Sequence, residues 1–224
     1  MIQNFAHRPC HEIVTGCTGT GKTTFWINLA KRQKARWKFV YDHKGGEIAY
    51  KLNQPAIRGL QHLIECTTAA GMTRSGGWIS FDPSLLFAHD FYAGFEFFCD
   101  FVWTISTQFP GRKILLTDEL QNVTSNRGQG TREFQIMLNT GRSFELDTYS
   151  IASRANSIHC DARGQFTKIY AFRQQDENAT VFLEKAGFDI DQVRALPPGK
   201  YLWRDLNSGQ SGSGGNAFSS VAVH

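Results

Sequence analysis

Short unbroken apolar runs alternate along this chain with segments whose apolar residues recur every three or four positions, a pattern that predicts strands and helices in turn. Glu12-Ile-Val-Thr-Gly16 is an apolar run ending on a glycine, and the stretch from Gly21 to about Lys34 has helix-forming composition, which together read as strand, loop and helix. Lys38-Phe-Val-Tyr-Asp42 is a second β-rich run, closed by the turn signal Lys44-Gly45-Gly46. Pro55 to Ala70 carries helical spacing at Ile57, Leu60, Leu63 and Ile64, and Trp78-Ile-Ser-Phe81 reads as a strand stopped by Asp82-Pro83. Asp90 to Gln108 predicts a long aromatic helix ended by Pro110-Gly111.

The second half continues the alternation. Lys113-Ile-Leu-Leu-Thr117 lacks polar interruption, as a central parallel strand covered on both faces should. A helix over Thr131 to Arg142 leads to a strand over Thr148 to Ala152, followed by a strand (Phe166 to Phe172), a helix (Asn178 to Ala186) and a late strand (Tyr201 to Trp203). Strands separated by helices require right-handed crossovers, so the expected fold is α/β: a three-layer arrangement around a mostly parallel central sheet. The expected organisation is one domain over 1–206 and a Gly/Ser-rich C-terminal tail over 207–224, with Ser208 to Gly215 linker-like and ordered only against a partner.

Composition narrows the class. A chain of 224 residues with 41% hydrophobic and 20% charged residues can bury an ordinary core, which excludes wholesale disorder. The net charge of +4 admits a nucleic-acid partner without requiring one. Cys10, Cys17, Cys66, Cys99 and Cys160 are scattered with no zinc-ligand spacing, which fits a reducing setting. No basic region followed by an apolar run opens the chain, and Phe91 to Ile105, broken by Glu96 and Asp100, is too short to span a bilayer, so neither a secretory signal nor a transmembrane segment is expected. His43 and His159 read as isolated histidines and are assigned no metal.

The chemistry concentrates in two places. Gly16-Cys-Thr-Gly-Thr-Gly-Lys-Thr23 satisfies G-x-x-x-x-G-K-[ST] between a predicted strand and a predicted helix. Glycines let the backbone turn its N–H groups around phosphate oxygens, and the following helix offers its positive end to the same anion. The expected nucleotide-binding residues are Gly16, Cys17, Thr18, Gly19, Thr20, Gly21, Lys22, Thr23 and Thr24, with Lys22 on the β- and γ-phosphates and the Thr23 hydroxyl on Mg²⁺. The second place is Ile114-Leu-Leu-Thr-Asp118-Glu119, an apolar strand that delivers two carboxylates to its carboxyl end, where open α/β sheets hold ligands. Asp118 is the expected metal-side acid and Glu119 the expected base that orients water. The N-K-x-D pattern of guanine specificity is absent, so ATP is the expected nucleotide.

Several stretches also resemble the FtsK/HerA superfamily of DNA-pumping ATPases, in particular the genome-packaging ATPases of tailless icosahedral viruses with an internal membrane. Phe39-Val-Tyr-Asp42-His-Lys44-Gly-Gly-Glu47 is similar to the family's second-strand signature, and Thr140-Gly-Arg142 through Ser153-Arg154 to its Gly-Arg segment, next strand and polar sensor. Leu196-Pro-Pro-Gly199 to Asp205 adds a third likeness. Arg154 stands where the family commonly has Gln or Asn. The resemblance implies a RecA-like P-loop fold and an ATP-hydrolysing motor that moves double-stranded DNA into a preformed capsid, works as a homo-oligomeric ring, expected to be a hexamer, and meets capsid vertex proteins. It implies residence in the host cytoplasm and at the virion packaging vertex. It also implies an arginine supplied in trans, for which Arg142 is the first choice and Arg127 and Arg132 are alternatives.

Other readings stay open on sequence alone: a P-loop kinase with a small acceptor, a filamentous-phage-type assembly ATPase, and a vertex protein that binds ATP without turnover. Lys31-Arg-Gln-Lys34-Ala-Arg36-Trp-Lys38 reads either as a DNA phosphate contact or, more simply, as cations at a helix carboxyl end. The polar loop Asn126 to Gly130 is the expected channel loop.

Overall fold

Why the apolar runs become strands is visible in how they are buried. Alternate residues of β1 (His11–Thr15), β2 (Trp37–Tyr41), β5 (Lys113–Thr117), β6 (Leu146–Ala152) and β7 (Lys168–Phe172) feed two separate cores, one on each face of the sheet. Ile13, Phe39, Tyr41, Leu115 and Ile169 point to one core, while Val14, Val40, Ile114, Leu116, Tyr149 and Tyr170 point to the other. A strand apolar on both sides is stable only with cover on both sides, and the crossover helices provide it. The computed structural model describes residues 8, 10–88, 90–124 and 132–215.

The remaining strands are β3 (Ala56–Ile57), β4 (Gly77–Phe81), β8 (Lys200–Asp205) and β9 (Ser211–Gly215), and the sheet runs β3-β4-β2-β5-β6-β1-β7-β8-β9. All pairings from β3 to β7 are parallel, whereas β8 and β9 are antiparallel additions at one edge. The fold is therefore α/β with a mostly parallel sheet between helical layers, as the alternation predicts. α1 (Lys22–Arg32) and α2 (Glu47–Leu52) cover one face; α3 (Leu60–Met72), α5 (Phe91–Gln108), α6 (Arg132–Thr140), α8 (Glu177–Lys185) and α9 (Ile190–Ala195) cover the other. Short α4 (Ser84–Phe87) and α7 (Cys160–Arg163) serve as connectors.

The aromatic helix forms where expected. The Asp90 carboxylate caps α5 by accepting from the Ala93 amide, and the helix stops at Phe109, just before Pro110. Phe95, Phe98, Cys99 and Val102 are fully buried along its inner stripe, each large side chain contributing about 1.5–3 kcal/mol.

Three expectations need correction. The helix predicted from Pro55 begins only at Leu60, because Ala56 and Ile57 pair with Ser80 and Phe81 as β3. Local periodicity could not foresee that pairing. Ser211–Gly215, expected to be linker-like, is a ninth strand paired with β8. Its glycines have a packing reason: a Cβ on Gly212 would meet the Trp203 ring at 2.9 Å, and one on Gly214 would meet Tyr201 at 2.4 Å. Finally, α2 and α9 were not foreseen; each has six residues, too short for a periodic pattern to register.

Candidate functional site

β1 lies between β6 and β7, so its carboxyl end opens in the middle of the sheet's edge. The chain there leaves the strand through Gly16 at φ +144°, Gly19 at +78° and Gly21 at +96°, conformations that other residues resist. Gly16 is also sterically obligatory, since a Cβ would sit 2.7 Å from the Phe172 Cβ. The Cys17 amide donates to the Arg173 carbonyl (2.8 Å), and the Thr20 hydroxyl donates to the Cys17 carbonyl (2.8 Å), closing the loop on itself. From the late Pro-Pro-Gly segment, the Gly199 amide bonds the Thr20 carbonyl at 3.0 Å.

Lys22 begins α1 and bends back so that its Nζ donates to the Cys17 carbonyl at 2.7 Å. It is 6% exposed, and burial lowers its pKa, opposed by the nearby charges of Glu119, Cys17 and Asp118. The first turn of α1 carries no acidic side chain, so the positive helix end at the loop is not offset by its own sequence.

β5 ends in the two acids. Asp118 is buried, and its Oδ1 accepts the Glu119 amide at 3.0 Å. Glu119 holds φ +44°, a left-handed conformation that costs a non-glycine residue about 1–2 kcal/mol. That strain is sustained by its partners: Oε2 accepts from Gln121, from the Ser153 hydroxyl at 2.9 Å and from the Ser153 amide at 3.4 Å. Burial raises the pKa of Glu119, but hydrogen bonds from Gln121 and Ser153 and the Lys44 charge more than offset it, so the carboxylate is held below its ordinary value. A base kept ionised and aimed by two donors suits the ordering of a water.

Gln174 ties the strands together. Only 2% exposed, it donates to the Ser153 carbonyl (2.9 Å) and accepts from the Cys17 thiol (3.0 Å), linking the ends of β6 and β7 to the phosphate loop. On the other side, the phrase after β2 is built around Asp42, whose carboxylate accepts the amides of Lys44 (3.3 Å), Ile48 (2.7 Å) and Ala49 (2.9 Å). The turn this creates delivers Lys44 Nζ to Asp118 Oδ2 at 2.7 Å and Glu119 Oε1 at 3.7 Å. Cys17, Thr18, Lys44, Glu119, Ser153 and Gln174 line one cleft of about 640 Å³.

The structure thus brings the glycine loop, Lys22, Asp118 and Glu119 to one edge. Sequence reasoning missed Ser153, Gln121 and Gln174 as partners and gave Lys44 no role. Lys44 and Ser153 stood inside stretches already singled out, and Gln174 follows an apolar strand at the ligand-holding edge, so the edge rule alone could have flagged it. Arg154 is exposed at the cleft wall, while Ser153 beside it makes the contact with Glu119.

Arg142 does not reach this edge. It sits in the 3-10 turn Gly141–Phe144 that enters β6 at its amino end. The seven residues of β6 separate that turn from Ser153, roughly 20 Å at strand rise. Arg132 opens α6 and is exposed. Arg127 and the loop Asn126 to Gly130 lie outside the described residues. In the basic run, Lys38 is on β2, and its Nζ donates to the Ala30 and Lys31 carbonyls at the end of α1, which is the helix-capping reading. His159 is not isolated: ligand atoms of His159, Cys160 and Asp161 lie within 4.8 Å of one another. Its ring also accepts the Asp161 amide, capping short α7. Among the described residues no helix is long and apolar enough to cross a membrane.

The donor chemistry fits Mg-ATP. The crest at Gly19 has no atom within 4 Å of where a side chain would begin, which leaves it open to a ligand. Thr23 and Asp118 offer the hard oxygen ligands that Mg²⁺ prefers.

No family model and no curated protein matches the chain. Solved structures do match in fold. The genome packaging NTPase B204 from Sulfolobus turreted icosahedral virus 2, in complex with AMPPCP, aligns over 92% of this chain and 96% of that one, at TM-score 0.69 and 16% identity. VirB4 of Thermoanaerobacter pseudethanolicus aligns over 94% and 91%, at TM-score 0.62 and 12% identity. Thermomonospora curvata EccC (ATPases 2 and 3) aligns over 91% of this chain and 36% of that one, at TM-score 0.54 and 12% identity. The chain is similar to these three structures over more than nine-tenths of its length, and it shares their P-loop α/β fold.

Proposed function

We propose that this chain is an ATP-hydrolysing motor that moves double-stranded DNA into a preformed viral capsid. One observation carries the reading: the phosphate-loop residues Cys17 and Thr18 share a single cleft with Glu119, whose carboxylate is kept ionised and aimed. The fold likeness to B204, with nearly all of both chains aligned, supports the packaging reading.

In this reading, Gly16, Cys17, Thr18, Gly19, Thr20, Gly21, Lys22, Thr23 and Thr24 bind the nucleotide, with main-chain amides around the phosphates. Lys22 exchanges the Cys17 carbonyl for the β- and γ-phosphates. Thr23 and Asp118 would hold Mg²⁺, which would supply charge neutralisation at the phosphate oxygens. Glu119 orients a water and accepts its proton as the water oxygen attacks the γ-phosphorus; the bond to the β–γ bridging oxygen breaks and ADP leaves with that electron pair. Ser153 and Gln121 hold Glu119 for this step. Arg142, at the opposite edge of the sheet from its own cleft, serves a neighbouring subunit's site in this reading, within a proposed ring, a hexamer, around the DNA. Capsid vertex proteins are the proposed docking partners, and the packaging vertex the place of work.

The test is ATP turnover with and without duplex DNA at low and high salt. A motor is stimulated by DNA, and the stimulation fades as salt rises, because phosphate contacts release counterions. Phosphate transfer to a small acceptor with no DNA response, or nucleotide binding without turnover, would overthrow the reading.

A further inference from the structure

Two ammonium groups lie near the acid pair, but only Lys44 contacts it. Lys22 belongs to the phosphate loop. Lys44 comes from another strand, and its Nζ lies 2.7 Å from Asp118 Oδ2 and 3.7 Å from Glu119 Oε1. We propose that Lys44 is a stand-in for the divalent cation: its ammonium occupies the metal-side oxygen of Asp118 and withdraws into the cleft when Mg-nucleotide binds. The proposal rests on the reading of Asp118 as a metal-side acid.

The anchoring of the residue supports an arm that moves only at its tip. Its backbone is pinned on one side by Asp42, which accepts the amides of Lys44, Ile48 and Ala49. On the other side Arg58 donates to the Gly45 carbonyl at 3.0 Å and is itself fixed to buried Asp82 at 2.7 Å. Gly45 and Gly46, both at positive φ, turn the chain away immediately afterwards, and a Cβ on Gly46 would meet the Ala56 Cβ at 3.0 Å. The Lys44 side chain, in contrast, is 36% exposed and lines the open cleft, while Asp118 is 2% exposed. A cation with a fixed root and an accessible head can leave a buried carboxylate without disturbing the loop that carries it.

Charge explains why such a device is useful. Asp118 and Glu119 are adjacent carboxylates in a partly dry site, and two like charges there repel unless a cation sits between them. Lys44 neutralises them before a divalent cation arrives. It also competes with that cation, so the metal is admitted only when it comes with the phosphates that compensate Lys44 in its new position. The consequence is selectivity for Mg-nucleotide over the free ion.

Binding of Mn²⁺ alone to the full-length protein, followed by electron paramagnetic resonance with no nucleotide present, tests this apart from turnover. Lys44→Met should bind Mn²⁺ about ten- to a hundredfold more tightly than the wild type. The gain should vanish when Asp118→Asn is added, and Lys44→Arg should behave as the wild type does. Lys44→Gln offers the same readout if the methionine variant does not fold. Equal Mn²⁺ affinity in wild type and Lys44→Met, or a gain that survives Asp118→Asn, overturns the proposal. Failure of the ATPase reading would show instead as nucleotide binding that ignores Lys22→Ala, a separate result from the metal titration.

Discussion

The two edges of the sheet both hold buried charge, yet they do different things with it. At the amino edge, Asp147 accepts the Cys10 amide at 2.9 Å and Arg112 Nε at 2.7 Å, and Arg112 also donates to the Tyr149 hydroxyl at 3.1 Å. Lys113, 2% exposed, donates to the Phe144 carbonyl at 2.9 Å. These groups are paired to hold strands in register. At the carboxyl edge, Lys44 and Glu119 line a cleft large enough for a ligand, with buried Asp118 paired to Lys44 and Lys22 coupled to both acids just behind it. Burial of charge is common to both edges and so does not mark a site; convergence on an open cleft does.

If the contrast holds, mutations at the two edges should separate catalysis from stability. The largest effect belongs to Lys22→Ala, which should reduce ATP turnover by about a thousandfold or more, roughly 4 kcal/mol, as expected when a principal phosphate cation is lost. Nucleotide binding by fluorescence titration should weaken with it, and the thermal midpoint should barely move. Near-normal turnover would place the phosphates elsewhere.

Glu119→Gln comes next. It keeps the shape and the contacts to Ser153 and Gln121 but cannot accept a proton, so turnover should fall about a hundred- to a thousandfold while ATP still binds. Normal steady-state turnover in this variant would refute the assigned role.

On the opposite edge, Arg112→Met removes the charged partner of Asp147, which is itself fully buried. Leaving a buried carboxylate without its counter-ion should lower unfolding free energy by about 3 kcal/mol. Denaturant titration should show the loss, while kcat of the folded fraction stays within about twofold, a change of under 0.5 kcal/mol in barrier. A large drop in kcat with unchanged stability would erase the distinction between the edges.

How much of this was legible beforehand follows from the range of the forces involved. Lys113–Thr117 matches its predicted strand because Ile114, Leu115 and Leu116, three successive apolar residues that need cover on both faces, have one stable place, the middle of the sheet. The long helix was equally legible, since eighteen residues of aromatic periodicity and an Asp90 cap are local signals. β3 and β9 were not, because each exists only through a neighbour distant in sequence or through rings that lie over its glycines. The candidate site divides the same way. The glycine loop and the acid pair announce themselves by spacing, whereas Ser153 and Gln174 reach Glu119 and Cys17 across 34 and 157 positions. No pattern within one segment could pair them.

The smallest and most diagnostic effect concerns two lysines with opposite environments. Burial lowers the pKa of Lys113 to about 8, whereas at Lys44 burial is outweighed by the hydrogen bond and charge of Asp118, so its pKa is raised. Below about pH 8, Lys113 is charged in both folded and unfolded chains. Between there and the ordinary lysine value near 10.4, only the unfolded chain holds the proton, so stability rises with pH through that window. The slope from this one group is at most about 1.4 kcal/mol per pH unit. For Lys44 the sign is reversed: its raised folded value contributes stability that is lost only above the window. Urea denaturation from pH 7.5 to 10 should therefore give a stability difference, wild type minus Lys113→Met, that rises with pH, whereas the difference wild type minus Lys44→Met stays nearly flat. Cysteine and tyrosine titrations are common to all three proteins and cancel in the differences. If the wild type minus Lys113→Met difference does not change with pH, the amino-edge lysine is not the dry, structurally committed cation that distinguishes that edge from the cleft.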